Sequence, residues 1–164
     1  MKKLTHTDSK GKVKMVDVSN KSTTVRTASA STTVVLGKEI FLAVKANSIA
    51  KGDVLAAAKI AGIQAAKKTS ELIPLCHNIS LTNVDVRFKL NSRKTTLEIT
   101  SDVSTSAQTG VEMEALTAAA ASALTVYDMC KAMSKNIVIE KIRLLSKTGG
   151  KSGVYKFERR KNGR

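Results

Sequence analysis

An antiparallel β-sheet carrying two long helices on one face is the fold class this sequence predicts, and three observations predict it. Two Ala-rich apolar stretches are long enough to be helices. Four segments rich in β-branched or alternating apolar residues surround them in the order strand, helix, strand, strand, helix, strand. The chain has 164 residues and 42% hydrophobic content, which suits one domain, 1–164, with a real core.

Along the chain, residues 1 to about 22 show little periodicity and are expected to form a flexible basic arm. Val25 to Leu36, rich in Thr and Val, predicts the first strand. Lys38 to Ala46 fits a short helix, although its apolar run leaves a strand open. Asp53 is placed to cap a helix from Val54 to Ile73, which Pro74 stops. Between Val54 and Ala66 only Lys59 and Gln64 are strongly polar, so this helix is apolar nearly all round. It should be covered on more than one side, the second cover coming from another subunit. Asn83 to Leu90 alternates Val84, Val86, Phe88 and Leu90 with polar residues, the pattern of a half-buried strand. Asn91-Ser92 turns it into Thr95 to Val103, giving a hairpin. Gly110 to Met133 predicts the second long helix, Ile137 to Leu145 the last strand, and about 154 to 164 a flexible basic tail. This order is that of a ferredoxin-like α+β sandwich.

Composition and charge narrow the function. Aromatic content is 3% with no Trp, so the core must be built from Ala, Val, Ile and Leu at close approach. The net charge is +15; residues 1–14 and 155–164 supply eight of these charges, and the body keeps +7, which calls for an anionic partner. There is no run of about 18 apolar residues for a membrane span, and no apolar stretch follows the first lysines as a secretory signal would require, so a cytoplasmic location is expected. Cys76 and Cys130 are expected to stay reduced, and with only His6 and His77 beside them no zinc site is expected.

Several side chains stand out chemically. Asp128 and Lys131 lie three apart on one helix face within an otherwise largely apolar stretch, so the pair is expected to be buried or to face a cleft. Lys67 points between the directions of Ile60 and Ile63, where snorkelling is the plainer account. Lys51-Gly52-Asp53 sits at a helix N-terminus, which favours anions. His77 follows Pro74 on a loop where it can face a cleft. Glu112 and Glu114 occupy a first helical turn, where acids complement the dipole but could also meet a substrate. Lys147-Thr-Gly-Gly-Lys-Ser152 lacks the first Gly of a phosphate-binding loop and no long helix follows, so it is expected to be a flexible basic segment.

Met15-Val-Asp-Val-Ser19, Lys51-Gly-Asp-Val54, Ile60-Ala-Gly-Ile-Gln-Ala-Ala-Lys67, Leu72-Ile-Pro-Leu-Cys-His77, Gly110-Val-Glu-Met-Glu-Ala-Leu-Thr117, Val126-Tyr-Asp-Met-Cys-Lys131 and Leu144 to Gly153 together resemble the cyclic pyranopterin monophosphate synthases of molybdenum cofactor biosynthesis. The resemblance runs from about Leu4 to Gly153 in one register. It implies a lyase that converts a cyclised dihydro-GTP into cyclic pyranopterin monophosphate and releases pyrophosphate. It also implies a ferredoxin-like subunit, a hexamer built as a trimer of dimers, and active sites lined by more than one subunit. By the same resemblance Asp128 and Lys131 are catalytic, with Lys51, Lys67 and His77 beside them. Leu75, Cys76, His77, Met113 and Glu114 would form substrate-binding segments, and Lys21, Arg26, Glu112 and Lys147 match positions around the pocket. Asn78 follows His77 where family members often carry Pro. No tightly bound cofactor is expected; Mg²⁺ would come with the triphosphate.

The main rival is a ferredoxin-like RNA-binding module, since the chain is basic and RNA-binding sheets use the same element order. Such sheets stack bases on aromatics, and the strands assigned here offer only Phe88. A non-catalytic scaffold ranks last, because it gains nothing from burying Asp128, Lys131 and Lys67 in apolar helices.

Overall fold

The structure is a computed structural model that describes residues 12–158. Its elements are β1 (Thr24–Val35), α1 (Lys38–Lys45), α2 (Val54–Lys67), α3 (Thr69–Leu72), β2 (Leu81–Asn91), β3 (Thr96–Ala107), α4 (Glu112–Cys130), β4 (Val138–Thr148) and β5 (Tyr155–Lys156). The strands pair antiparallel in the order β2-β3-β1-β4-β5, a ferredoxin-like sheet with one short strand added at its edge. Alternation sets the inner face: Val86 meets Ser101, Phe88 meets Ile99 and Leu90 meets Leu97, while Arg87 and Lys89 point away.

Small residues let the two long helices close on each other and on the sheet. Helix α2 buries Val54, Ala58, Gly62 and Ala66, one residue per turn, against α4. A Cβ at Gly62 would overlap Ser122 Oγ and lie 3.0 Å from the Ala118 carbonyl oxygen, so only glycine permits this approach. At the same seam Ser122 Oγ donates to the Ala58 carbonyl at 2.9 Å. One core cluster, including Val34, Ile40, Val86, Leu97, Ile99 and Val126, lies under α2 and the end of α4; a second, around Ala30, Val103, Val111 and Ala115, lies under the start of α4.

Four expectations meet the structure, and two are corrected: the end of α2 and the looseness of residues 147–152. Helix α2 stops at Lys67 instead of Ile73, because Thr69 Oγ1 donates to the Ala65 and Ala66 carbonyls and only the single turn α3 follows. Lys38–Lys45 is helical. Among the described residues only one stripe of α2 is buried, Ile60 remains 58% exposed, and no second cover for the helix is found. Lys147-Thr-Gly-Gly-Lys-Ser152 is not a loose segment: β4 runs through Thr148, Gly149 and Gly150 turn with φ of 89° and 72°, and Tyr155–Lys156 returns to pair with Lys147 and Ser146. No helix follows it among the described residues, as expected for a run that is not a phosphate-binding loop of the helix-capping kind. Of the expected flexible arm, about 1–22, and tail, about 154–164, residues 1–11 and 159–164 fall outside the described residues, and within the tail Tyr155–Lys156 is strand rather than loose chain.

Candidate active site

The residues singled out in the sequence fall into two groups at opposite ends of α4. Helices α2 and α4 run antiparallel, so the start of α2 meets the end of α4. There Asp128 Oδ1 accepts from Lys131 Nζ at 2.7 Å and Oδ2 accepts from Lys51 Nζ at 3.1 Å. Lys51 Nζ also donates to the Asp128 backbone carbonyl at 2.9 Å, satisfying one acceptor of the last helical turn. Hydrogen bonds from Lys131 and then Lys51 hold the Asp128 carboxyl below its ordinary range, and Asp128 in turn raises Lys131. Of the two placements expected for the Asp128–Lys131 pair, buried or facing a cleft, burial is not observed: the side chains of Lys51, Asp128 and Lys131 are 45%, 56% and 49% exposed. The reason is geometric, since Val126 and Cys130 take the inward positions of this last turn and leave Asp128 and Lys131 on its outer face.

The other group surrounds the start of α4, roughly 24 Å away at 1.5 Å per residue. A cleft of about 220 Å³ is lined by Cys76, His77, Gly110, Glu112, Met113 and Glu114. His77 Nε2 lies 2.7 Å from the Val16 carbonyl, so the described part of the N-terminal arm fixes the imidazole. Glu112 Oε1 accepts from Lys147 Nζ at 2.8 Å, with both side chains about three-quarters buried. Lys147 also donates to Ser152 Oγ at 2.8 Å. A side chain at Gly110 would collide with the Glu112 carboxylate.

Glu114 is the buried acid of this end. It is 4% exposed, and its Oε2 has no hydrogen-bond partner. Burial, reinforced by the neighbouring charge of Glu112, pushes its carboxyl up to about 6. The Cys76 thiol is raised by burial and then by Glu114. Leu75 is half-buried on the same loop but does not line the cleft. Lys67 is exposed at the end of α2 and makes no ion pair among the described residues, so snorkelling describes it in this subunit. Lys21 and Arg26 line a separate, larger cleft of about 540 Å³ with Gly150 and Lys151.

The fold therefore gathers Lys51, Asp128 and Lys131 at one end and Cys76, His77, Glu112, Met113, Glu114 and Lys147 at the other, with Lys21 and Arg26 nearby. One subunit does not join the two sets. Sequence reading missed Ser152 and Lys151 as members of this surface. Their signal was the Lys-Thr-Gly-Gly-Lys-Ser run, which was expected to be loose because it fits no helix-capping phosphate loop.

A compact α+β subunit that sets recessed acids beside lysines carries the proton-handling and anion-holding groups of an enzyme. Comparison with known proteins makes this particular. The chain belongs to the MoaC family, whose model matches residues 15–150. It is 58% identical over 155 residues to the cyclic pyranopterin monophosphate synthase of Heliobacterium modesticaldum, covering 94% of this chain and 98% of that protein. The Listeria monocytogenes enzyme of the same name is 57% identical, with 94% and 96% covered. The mitochondrial one of Arabidopsis thaliana is 56% identical over 94% of this chain, which spans 57% of its length.

Proposed function

We propose that this chain is a lyase that converts 3',8-cyclo-7,8-dihydroguanosine 5'-triphosphate into cyclic pyranopterin monophosphate, releasing pyrophosphate, in molybdenum cofactor biosynthesis. The observation that carries this reading is similarity at 58% identity, over 94% of this chain and 98% of the relative, to a synthase of that name. The chemistry asks for proton transfers while the guanine-derived ring opens and is rebuilt, and then for phosphate cyclisation. In the last step an internal hydroxyl gives up its proton and its oxygen bonds to the α-phosphorus. The bond to the bridging oxygen breaks, and pyrophosphate leaves with that electron pair.

Asp128, held ionised between two ammonium groups, orients Lys131 and Lys51 for proton transfer. Lys67, Lys147, Lys21 and Arg26 supply positive charge for the triphosphate and its leaving group. His77, Cys76, Leu75, Met113 and Glu114 hold the base-derived ring, with Glu112 keeping Lys147 in place. The two ends of α4 are too far apart for one small substrate, so the complete site draws each end from a different copy. Exposed Ile60 and Leu124 on the outer side of the helices offer apolar surface for such an assembly, which we take to be a hexamer of paired subunits. We assign no resident cofactor, Mg²⁺ arriving only with the triphosphate, and a cytoplasmic location. No helix among the described residues is long and apolar enough to cross a membrane.

RNA binding is not favoured: β1 to β4 carry one aromatic, Phe88, and it packs against the core cluster. Incubation with enzymatically prepared cyclised dihydro-GTP, followed for pyrophosphate, tests the reading. Stoichiometric release of pyrophosphate with formation of the cyclic monophosphate is expected, and an intact substrate pool would refute it.

A further inference from the structure

Of the runs that resemble the family, Met15-Val-Asp-Val-Ser19 alone has no part in the reaction proposed above. It is nonetheless held in a defined shape. Asp17 Oδ1 accepts from the Ser19 backbone N–H at 2.9 Å and from Ser19 Oγ at 2.6 Å, which bends the chain into a turn closed by a side chain. The Lys21 N–H donates to the Val18 carbonyl at 2.9 Å and closes a second turn directly after it. The hydrogen bonds from Ser19 hold the Asp17 carboxyl below its ordinary range, with the charges of Lys14 and His77 adding to them.

Val16, the residue before Asp17, turns its carbonyl to His77 Nε2 at 2.7 Å. A carbonyl oxygen only accepts, so Nε2 carries the proton and the neutral ring keeps its lone pair on Nδ1. Nδ1 has no hydrogen-bond partner among the described residues. On its other side the ring is set by its own loop, where the Cys76 N–H donates to the Ile73 carbonyl at 3.0 Å and turns the chain at Pro74. His77 lines the cleft of about 220 Å³ with Cys76, Met113 and Glu114, and also a hollow of about 360 Å³ that Val18 and Thr23 share. The imidazole is therefore held between its loop and the arm, with one nitrogen spent on the arm and the other unspent.

We infer that Asp17 is a positioning residue for the proposed reaction: by fixing the Val16 carbonyl it holds His77 as the Nε2–H tautomer, so that Nδ1 accepts a hydrogen bond from an N–H or O–H of the base-derived part of the substrate. The inference rests on the place given to His77 in the reaction proposed above. Asp17 acts through the backbone and touches no ligand. Its side chain is exposed and packs into no core, so replacing it should leave the fold intact.

Magic-angle-spinning nitrogen NMR of the assembled protein, labelled in its histidine rings, reads the tautomer directly at about pH 8.5, well above the ordinary histidine value of roughly 6.5. His6 is the only other histidine of the chain, so a His6→Ala background leaves a single imidazole. That ring should show one neutral form with its proton on Nε2. Asp17→Ala should give a mixture of both tautomers and lower kcat/KM for the cyclised triphosphate about tenfold, the weight of one net hydrogen bond. Asp17→Asn keeps an acceptor oxygen for Ser19 and should return both readings to those of the parent. A proton on Nδ1 in the parent overturns the inference, as does an unchanged single tautomer in Asp17→Ala even where turnover falls, or parent-level turnover in that variant. If the parent fails to convert the cyclised triphosphate yet shows the Asp17-dependent tautomer, the proposed reaction falls and the positioning of His77 by Asp17 stands.

Discussion

The two ends of α4 solve the problem of placing charge in opposite ways. At the C-terminal end an acid lies between two lysines, all about half exposed, and every formal charge has a partner. At the N-terminal end Glu112 and Lys147 pair in a recess, and Glu114 is buried beside them with one oxygen unpartnered. The first arrangement keeps one net positive charge and costs little stability, since solvent screens exposed pairs. The second stores an unmet hydrogen-bonding demand that a ligand can satisfy. On the function proposed above, groups that exchange protons and groups that bind are separated within one subunit, at opposite ends of α4.

The comparison is broken most severely at Asp128. Asp128→Asn should lower pyrophosphate release by on the order of 10² to 10⁴ while leaving the thermal midpoint within error, because the carboxylate is exposed. Parallel melts and turnover assays on one preparation check this; a mutant that unfolds would make the cluster structural. Lys51→Ala and Lys131→Ala should follow it in activity, and Lys94→Ala should not. The helix seam that joins the two ends is the next target. Gly62→Ala forces a Cβ onto Ser122 and should cost roughly 1 to 3 kcal/mol, read by chemical denaturation.

The smallest effect sharpens the contrast by pH. The Glu114 carboxyl is raised from its ordinary 4.5 to about 6, so the folded state binds its proton more tightly than the unfolded chain does. Its contribution is fully present below 4.5 and is lost as pH rises toward about 6. Glu114→Gln, which cannot ionise, should gain stability relative to the parent across that window, by on the order of 2 kcal/mol or less at neutral pH. Denaturant midpoints measured at pH 4 and pH 7.5 give the difference; an advantage independent of pH would contradict a buried, titrating acid.

Much of this was legible in the sequence, for identifiable reasons. Alternation in Asn83 to Leu90 and the Ala-rich helices fixed the sandwich, because periodicity reports which face is buried. Three residues' separation correctly paired Asp128 with Lys131; of the two placements their apolar neighbours suggested, buried or facing a cleft, the first is excluded, since Val126 and Cys130 point inward while the pair does not. Thr69 ended α2 before Pro74 could, a capping contact that a proline rule does not register. The distance between Asp128 and His77 depends on the antiparallel course of two helices, which the motifs themselves do not encode. The Lys147–Glu112 and His77–Val16 contacts span 35 and 61 positions, beyond the reach of local pattern.

The account turns on the claim that a working site joins the Asp128 end of one copy to the His77 end of another. Two inactive variants, Asp128→Asn and His77→Ala, can be unfolded together, refolded as mixed assemblies and assayed for pyrophosphate release. If the ends come from different copies, pairs of unlike subunits each regain one intact site, and an equal mixture should recover roughly a quarter of the parent turnover. If mass spectrometry finds the mixed assemblies and turnover stays at the level of the separate variants, each site lies within one subunit and the claim is wrong.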